Sequence, residues 1–371
     1  MLRYRASALV LVAALAAFAL PAAAAPLSPA QQAGVDAIAR KQLAMQHVSG
    51  LTIGIGRNGK LLFARGYGLR DRAGHLASDA DTAYAIGSIT KQFTASAVWL
   101  LAQQHRIDVG ATLSHYLPGV PHSERVTVLE LLDQISGYRD YLENNALLQS
   151  IENSTVGHHS IAYYADLGAQ MPLEFPPGSK WAYSNTNYAL LGLLIQRVTG
   201  QSYWSFLKND VLHSRLPNTT YLTMSLPPGN DSSQGYTYAK GTYALVKPYD
   251  MSWANSAGAL ASTVSDIVAW DGLYFGGDVI DAATLRTALT ASGNHAMLPS
   301  KDPRNNIAAT YASGWVHGQD EGRKLIWHNG GTIGYRSMNL VYPDGLEVIV
   351  LTNATTANPE NIALQVARML Y

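Results

Sequence analysis

Two segments near opposite ends of the chain each predict a β-hairpin, and together they constrain the fold more than any other feature. Near the N-terminus, strand-like runs flank Asn58-Gly59, a dipeptide that favours a tight two-residue turn. Near the C-terminus, a second pair of apolar runs turns at Asp344-Gly345. Residues 88–310 show mostly helical patterns joined by glycine- and proline-rich connections. The pattern predicts an α+β fold: an antiparallel sheet built from both chain ends, with a large, mainly helical inserted subdomain.

Helical patterns also lie at the two ends of this arrangement. The segment from Ser28 to Met45 is amphipathic, with Ser28 as its predicted cap, and a second helical segment runs from Pro359 to Leu370. We expect both helices to flank the sheet, and we expect a ligand site at the seam between the sheet and the helical insertion.

The stretch from Tyr84 to Leu101 contains the first candidate for chemistry. Apolar residues recur every four positions from Ile89 to Leu101, which predicts a buried helix that begins near Ser88. Ser88 and Lys91 then share one face, one turn apart, so that the lysine amine can reach the serine hydroxyl. The N-terminus of a helix also favours developing negative charge. The stretch therefore suggests a serine nucleophile activated by a lysine.

The S-x-x-K spacing alone is weak evidence, because a chain of this length offers about one match by chance. A second copy, from Ser205 to Lys208, is followed by Asn209 and Asp210 and predicts the solvated side of a surface helix. The alternative for Ser88 is a helix-capping serine followed by a solvated lysine. Further motifs are needed to decide between these interpretations.

The N-terminal segment is typical of a secretory signal peptide. Arg3 and Arg5 precede about fifteen apolar residues that end in small residues, and cleavage is expected after Ala24. The run is shorter than the roughly twenty residues of a membrane span. We therefore expect a signal peptide over residues 1–24, one domain over residues 25–371 and a periplasmic or secreted bacterial protein, with a retained N-terminal anchor as the alternative.

Composition excludes several classes of protein. Without the signal segment, 24 basic and 26 acidic residues remain, which argues against nucleic-acid binding. The chain has no cysteine, so a thiol nucleophile and thiolate metal sites are excluded. There is no H-E-x-x-H, and the adjacent His158 and His159 diverge in regular structure, so we expect no metal and no cofactor. The segment Ala254 to Gly258 lacks the first glycine of the G-x-S-x-G expected in an α/β-hydrolase.

Three later stretches strengthen the case for Ser88. The first contains Tyr183-Ser184-Asn185 at a junction between a loop and a helix, where a tyrosine can exchange protons with a serine if nearby cations lower its pKa. Asn185 can hold a lysine and a substrate carbonyl together. The second, His328-Asn329-Gly330, ends a strand whose small residues let substrate lie against the edge. The third is a glycine-rich turn and helix from Ser256 to Trp270.

In their order and spacing these motifs resemble the serine β-lactamase and penicillin-binding-protein superfamily. The resemblance is to the class C β-lactamase-like branch, with its D-alanyl-D-alanine carboxypeptidases and esterases, and it covers roughly residues 30–370. S-I-T-K corresponds to the S-x-x-K motif of the family, Y-S-N to its Y-x-N, and H-N-G to its K-T-G or H-x-G strand motif. Several independent motifs in one order are far more specific than any single motif.

The resemblance implies a role for each matched residue. Ser88 would be the acylated nucleophile, and Lys91 or Tyr183 would take its proton, a choice that the sequence leaves open. The oxyanion hole would be formed by the backbone N–H groups of Ser88 and Gly331. The implied substrate-binding residues are Asn185, His328, Asn329 and Gly330.

The resemblance also sets the expected function and its alternatives. We expect a serine hydrolase that acts on an amide or ester through an acyl-enzyme, most of all a D-alanyl-D-alanine carboxypeptidase-like peptidase. A class C-type β-lactamase, a carboxylesterase and a non-catalytic penicillin- or peptidoglycan-binding protein remain alternatives. His328 replaces the lysine that anchors a substrate carboxylate in the lactamases, and a largely neutral imidazole weakens that anchor.

The expected partner is a small molecule or a peptidoglycan peptide, and we expect a monomer. Aromatic residues close to the motifs are candidates for lining the pocket: Tyr138, Tyr141, Trp181, Tyr188, Trp315 and Tyr335.

Overall fold

The computed structural model describes residues 25–229, 231–290, 297–298 and 309–371. The predicted signal segment, residues 1–24, lies outside the described residues. Within the described ranges, no helix is long and apolar enough to cross a membrane. The helices are α1 Pro29–Met45, α2 Thr90–Gln103, α3 Val128–Leu132, α4 Asn145–Glu152, α5 Ile161–Ala169, α6 Asn185–Thr199, α7 Tyr203–Phe206, α8 Asn255–Gly258, α9 Val264–Phe275, α10 Ala282–Ala288 and α11 Pro359–Leu370.

The strands form one large antiparallel sheet and two small ones. The large sheet has the strand order β3-β2-β1-β14-β13-β12-β11-β10-β9, and the small sheets are β4-β8-β5 and β6-β7. The strand bounds are β1 Gly50–Arg57, β2 Lys60–Asp71, β3 Leu76–Ala77, β4 Tyr84–Ala85, β5 Thr220–Tyr221, β6 Tyr236–Ala239, β7 Thr242–Leu245, β8 Leu260–Ser262, β9 Met297–Leu298, β10 Ala309–Ala312, β11 Trp315–Asp320, β12 Arg323–Thr332, β13 Tyr335–Val341 and β14 Leu346–Thr352.

The predicted α+β architecture is confirmed, because β1 from the N-terminal hairpin pairs with β14 from the C-terminal hairpin. Both predicted turns join the expected strands, and the backbone N–H of Asn58 donates to the carbonyl of Gly345 at 2.9 Å. Asn58 and Gly59 have φ of 52° and 74°, the left-handed conformation that a tight turn of this kind requires. The two hairpin turns therefore contact each other at one end of the central strand pair, β1 and β14.

Helices cover both faces of the sheet. On one face α1 and α11 pack together, and Val35, Ala39, Ile362 and Val366 are buried there. On the other face α9 packs on β1, β2 and β14. Every residue of β14 is buried, as expected of a strand covered on both sides. Ser28 caps α1 through a capping box with Gln31, which confirms the predicted start of that helix.

The helical insertion surrounds α2, which is buried along most of its length and packs on α6 and α8. A 3-10 turn over Gly87–Ile89 precedes α2, so the regular helix begins two residues later than predicted. This turn packs on β12, and Ser88 therefore lies where the helical insertion meets the sheet. The expected position of a site at this seam agrees with the fold.

A pair of buried carboxyl groups lies between α9 and β14. Asp271 Oδ1 accepts from Asn339 Nδ2 at 2.8 Å, and Glu347 Oε1 accepts from the backbone N–H of Gly59 at 2.7 Å. Burial, together with the charge of Glu347, raises the pKa of Asp271 well above its usual value, and burial raises the pKa of Glu347 to about 7. Near neutral pH the folded pair therefore holds protons that the unfolded chain releases.

This pair predicts a pH-dependent stability. Because folding raises these pKa values, the stabilisation that they carry is full below the unfolded pKa and is lost as pH rises through the folded value of about 7. Glu347→Gln mimics the protonated side chain, so at about pH 5 the variant and the wild type should have similar free energies of unfolding. At about pH 8.5 the variant should be more stable by about 1–3 kcal/mol, measured by urea unfolding.

Glu152→Gln, at an exposed position on α4, is the control and should follow the wild type at both pH values. An equal loss of stability in Glu347→Gln at both pH values would show that the carboxyl group does not hold a proton in this range.

Candidate active site

Ser88, Lys91 and Asn185 meet at the junction of the 3-10 turn with α2 and α6. Lys91 Nζ lies 3.2 Å from Ser88 Oγ, 2.8 Å from Asn185 Oδ1 and 2.8 Å from the carbonyl oxygen of Ala257. Lys91 is fully buried, whereas Ser88 is partly exposed. The alternative interpretation, a helix-capping Ser88 followed one turn later by a solvated lysine, is therefore wrong.

Burial favours the neutral form of Lys91: it lowers the pKa of the amine to about 7, while the charge of Asp140 acts in the opposite direction. A neutral amine has two N–H donors and one lone pair. The carbonyl groups of Asn185 and Ala257 can accept both hydrogens, which leaves the lone pair for the Ser88 hydroxyl. This arrangement suits proton transfer from serine to lysine.

Asp140 orients Asn185, and the sequence analysis did not identify it. Its Oδ2 accepts from the side-chain Nδ2 of Asn185 at 2.7 Å and from the backbone N–H of Asn185 at 3.1 Å. The amide is thereby fixed with its oxygen towards Lys91. The predicted contact of Asn185 with substrate stays a prediction, since the described partners of its side chain are Asp140 and Lys91.

Tyr183 lies just before α6, with its ring centroid 4.7 Å from Lys91 Nζ. The condition named from the sequence, a pKa lowered by nearby cations, is not met: burial, and then Tyr311, raise the pKa well above its usual value, and the Ser88 side chain lowers it only in part. The hydroxyl is buried and makes no regular hydrogen bond with the described residues. A phenol in this setting stays protonated near neutral pH.

His328 is buried on β12, and its protonation state follows from its two neighbours. Nδ1 lies 2.6 Å from the carbonyl oxygen of Asn329, which can only accept, so Nδ1 carries the proton. Nε2 then accepts from Tyr311 Oη at 3.2 Å. Burial, aided by the charge of Lys91, lowers the pKa of His328 to about 3, which agrees with the expected neutral imidazole.

The strand edge after His328 touches the nucleophile turn. A Cβ added to Gly330 would lie 2.0 Å from the carbonyl oxygen of Ile86, and one added to Gly87 would lie 2.4 Å from the backbone nitrogen of Gly331. Gly87 also has φ of 53°. Glycines at 87 and 330 therefore allow close backbone approach, which brings the predicted oxyanion donors of Ser88 and Gly331 into one region.

Ser88 lines a cavity with a volume of about 430 Å³. Asn329, Gly330 and Gly331 line this cavity together with Tyr183 and His328. Of the aromatic candidates named from the sequence, Trp181 lines it. Tyr311 and Trp327 also line it and were not among those candidates, although Trp327 directly precedes His328. The remaining lining residues are Val316 and Arg336.

The second S-x-x-K match does not form a comparable site. Ser205 Oγ donates to Gln201 Oε1 at 3.1 Å, and Lys208 is exposed on a π-helical turn over Leu207–Val211. In the described part of the chain, no group of three or more His, Asp or Glu side chains is arranged to hold a metal ion.

The chain is similar to known proteins over most of its length. The family described as "Beta-lactamase" matches residues 35–370, and the chain therefore belongs to the β-lactamase family. Protein flp of Staphylococcus aureus (strain NCTC 8325 / PS 47) is 29% identical over 329 residues, which cover 87% of this chain and 63% of that protein. The chain thus spans less than two thirds of the length of this relative.

Two solved structures share the fold. The octameric penicillin-binding protein homologue from Pyrococcus abyssi has a TM-score of 0.79 at 24% identity, covering 91% of this chain and 77% of that chain. The D-amino acid amidase from Ochrobactrum anthropi SV3, complexed with L-phenylalanine amide, has a TM-score of 0.79 at 20% identity, covering 92% and 98%. The β-lactamase-like fold expected from the sequence is confirmed.

Proposed function

We propose that the protein is a serine hydrolase that cleaves an amide or ester through an acyl-enzyme on Ser88. The leading candidate activity is that of a D-alanyl-D-alanine carboxypeptidase-like peptidase. The observation that carries this proposal is the buried Lys91 amine, which lies 3.2 Å from Ser88 Oγ with its other two neighbours both carbonyl oxygens. An amine held in this way can accept the proton of the serine hydroxyl.

In the proposed acylation, Ser88 Oγ bonds to the substrate carbonyl carbon as its proton passes to Lys91 Nζ. The backbone N–H groups of Ser88 and Gly331 stabilise the oxyanion. When the bond to the leaving group breaks, the proton reaches the leaving nitrogen or oxygen through the Tyr183 hydroxyl, which takes a proton from Lys91 as it gives up its own. In deacylation, water attacks the acyl carbonyl carbon and gives a proton through Tyr183 to Lys91 Nζ. The bond from the acyl carbon to Ser88 Oγ then breaks, Lys91 returns the proton to Oγ, and the acid product leaves.

This proposal assigns the base that the sequence left open. The pKa of Lys91 is lowered to about 7, whereas burial raises the pKa of Tyr183 well above its usual value. A neutral amine is therefore available near pH 7 and a phenolate is not. Tyr183 acts as a proton relay, and kcat/KM should rise with pH through the pKa of Lys91.

Asp140→Asn tests whether the charge of Asp140 raises the pKa of Lys91. Removing a negative charge that favours the ammonium form should move the acid limb of the kcat/KM profile down by about one pH unit. Glu143→Gln removes an exposed carboxylate from the same loop region and should leave the profile unchanged. An unshifted acid limb in a folded Asp140→Asn variant would show that Asp140 does not act on the base.

The experiment that tests the function is turnover of three substrates: a penicillin, a small activated ester and an acylated D-alanyl-D-alanine peptide. Release of D-alanine supports the peptidase, while turnover confined to penicillin or to the ester would replace it with a β-lactamase or a carboxylesterase. Ser88→Ala should abolish every activity, and Ser205→Ala, in the second S-x-x-K match, should retain them. Binding without turnover would favour the non-catalytic alternative.

Two further proposals accompany this function. We infer a site of action outside the cytoplasm, on the basis of the signal-like residues 1–24, and amino-terminal sequencing of the secreted protein tests it. We also infer a monomer, which light scattering tests; the Pyrococcus abyssi homologue is octameric by its description.

A further inference from the structure

One glutamine holds the segment that carries Tyr183 at two points. The backbone carbonyl of Gln134 accepts from the backbone N–H of Ala182 at 3.0 Å, and its side-chain Oε1 accepts from the backbone N–H of Ser184 at 3.0 Å. Ala182 and Ser184 are the residues on either side of Tyr183 in the chain. The two hydrogen bonds therefore fix the backbone at the point from which the Tyr183 side chain extends.

The position of the Tyr183 hydroxyl depends on this backbone. Tyr183 lies outside the helices and strands, just before α6, and its hydroxyl is buried without a regular hydrogen bond to the described residues. The ring lies near Trp181, Tyr311 and His328, with centroid separations of 6.2 to 6.5 Å. These ring contacts do not hold the hydroxyl itself, so its position follows from where the backbone places the ring.

Gln134 is held in a backbone conformation that glutamine seldom adopts. It is fully buried and has φ of 63°, in the left-handed region that is unfavourable for most residues with a side chain. Its Oε1 also accepts from Asn187 Nδ2 at 2.6 Å, and Asn187 Oδ1 accepts from Ser136 Oγ at 2.6 Å. A glycine would adopt this backbone more readily, so what glutamine adds here is the side-chain oxygen that Ser184 and Asn187 share.

We propose that Gln134 is a positioning residue for proton transfer: it places the Tyr183 hydroxyl where it can protonate the leaving group. The inference rests on the proposed function and deepens it. As the bond from the carbonyl carbon to the leaving nitrogen breaks, Tyr183 gives its hydroxyl proton to that nitrogen and takes one from Lys91. Gln134 does not line the cavity beside Ser88, so it acts through the Tyr183 segment and not on the substrate.

The leaving group distinguishes this role from a structural one. Wild type and Gln134→Met are each assayed on an acylated D-alanyl-D-alanine peptide and on the p-nitrophenyl ester with the same acyl group, with kcat/KM as the measure of acylation. The p-nitrophenolate departs without a proton, whereas the peptide nitrogen must be protonated as it leaves. Gln134→Met should lower kcat/KM by about 10²-fold on the peptide, the loss expected when a catalytic group is displaced by about 1 Å, with little change on the ester.

Three further variants control this comparison. Gln134→Glu keeps an oxygen acceptor at the same position and should keep the wild-type ratio of the two rates. Gln42→Met removes another buried glutamine, one that is hydrogen-bonded to Gln46 and Gln365, and should keep both rates. If Gln134→Met does not fold, Gln134→Asn replaces it, because asparagine is tolerated in the left-handed region and its shorter side chain withdraws the oxygen from Ser184.

Equal losses on both substrates would show that Gln134 supports the fold only, and an unchanged ratio in a folded variant would also overturn the inference. If the wild type turns over the ester but not the peptide, the proposed peptidase fails. The methyl ester of the same acyl group, whose leaving methoxide also needs a proton, then replaces the peptide.

A measurement without turnover separates this inference from the proposed function. If the wild type turns over none of these substrates, the proposed function fails, and fluorine NMR of a fluorotyrosine at position 183 decides the role of Gln134. The signal should shift in Gln134→Met and keep its wild-type position in Gln134→Glu. The same signal in the wild type and in Gln134→Met would overturn the inference.

Discussion

Lys91→Met should lower kcat/KM by about 10³-fold on every substrate that the wild type hydrolyses, because a general base of this kind contributes about 10²- to 10⁴-fold. Methionine fills a similar volume but cannot take the Ser88 proton. The loss should appear in the rate of acyl-enzyme formation, measured by rapid acid quench and intact-mass spectrometry, and should not depend on the leaving group.

Lys91→Arg separates the base from the charge. Arginine keeps a cation at this position but does not deprotonate near neutral pH, so this variant should be as impaired as Lys91→Met. Lys208→Met, in the second S-x-x-K match, is the matched control. It should retain wild-type activity, since Lys208 is exposed and does not line the cavity beside Ser88. Retention of more than about a tenth of wild-type activity in Lys91→Arg would contradict the base assignment.

Gly330→Ala should be the second most damaging change, although it alters no reactive group. The new Cβ would lie 2.0 Å from the Ile86 carbonyl oxygen and 2.4 Å from Ser337 Oγ, so β12 and the nucleophile turn must separate by about 1 Å. A displacement of this size at a catalytic site lowers the rate by about 10²-fold. We expect that loss together with a destabilisation of about 2–3 kcal/mol.

Gly157→Ala is the control for this substitution, because its added Cβ meets nothing closer than 3.8 Å and its φ is not in the left-handed region. It should leave both activity and the free energy of unfolding within error of the wild type. If Gly330→Ala is folded and fully active, the close approach of β12 to the nucleophile turn is not needed for function.

Local patterns were sufficient to predict the frame of the fold. The turns at Asn58-Gly59 and Asp344-Gly345 identified both hairpins, because the left-handed backbone of a tight turn favours these residue types. The apolar repeat from Ile89 to Leu101 identified α2. The predicted start of α2 near Ser88 was two residues too early, because a 3-10 turn and an α-helical turn have nearly the same sequence preferences.

The protonation states of the candidate site were not predictable from the sequence. The sequence left open whether nearby cations lower the pKa of Tyr183, and the structure shows that burial raises it. Burial of Lys91 depends on α6 and α8, which lie about a hundred and more residues away in the chain. Only the packed structure shows which of two ionisable groups loses more hydration.

Asp140 and Arg336 were missed for a related reason. Neither is a matched motif residue, and the place of each depends on a partner distant in sequence or across a strand pair: Asp140 contacts Asn185, and Arg336 lies opposite Gly331. Gly330 was expected to make room for substrate, and the structure adds a second reason for glycine, its contact with Ile86. Strand register and long-range contacts of this kind are properties of the assembled sheet.

The most direct test of the account is to locate the acyl group after acid quench within the first turnover. The mature protein is exposed briefly to a penicillin and, separately, to a small activated ester, digested, and mapped by tandem mass spectrometry. The account predicts an acyl group on Ser88 in the wild type and in Ser205→Ala, and none in Ser88→Ala. An acyl group on any other residue, or turnover of either compound by Ser88→Ala, would contradict it.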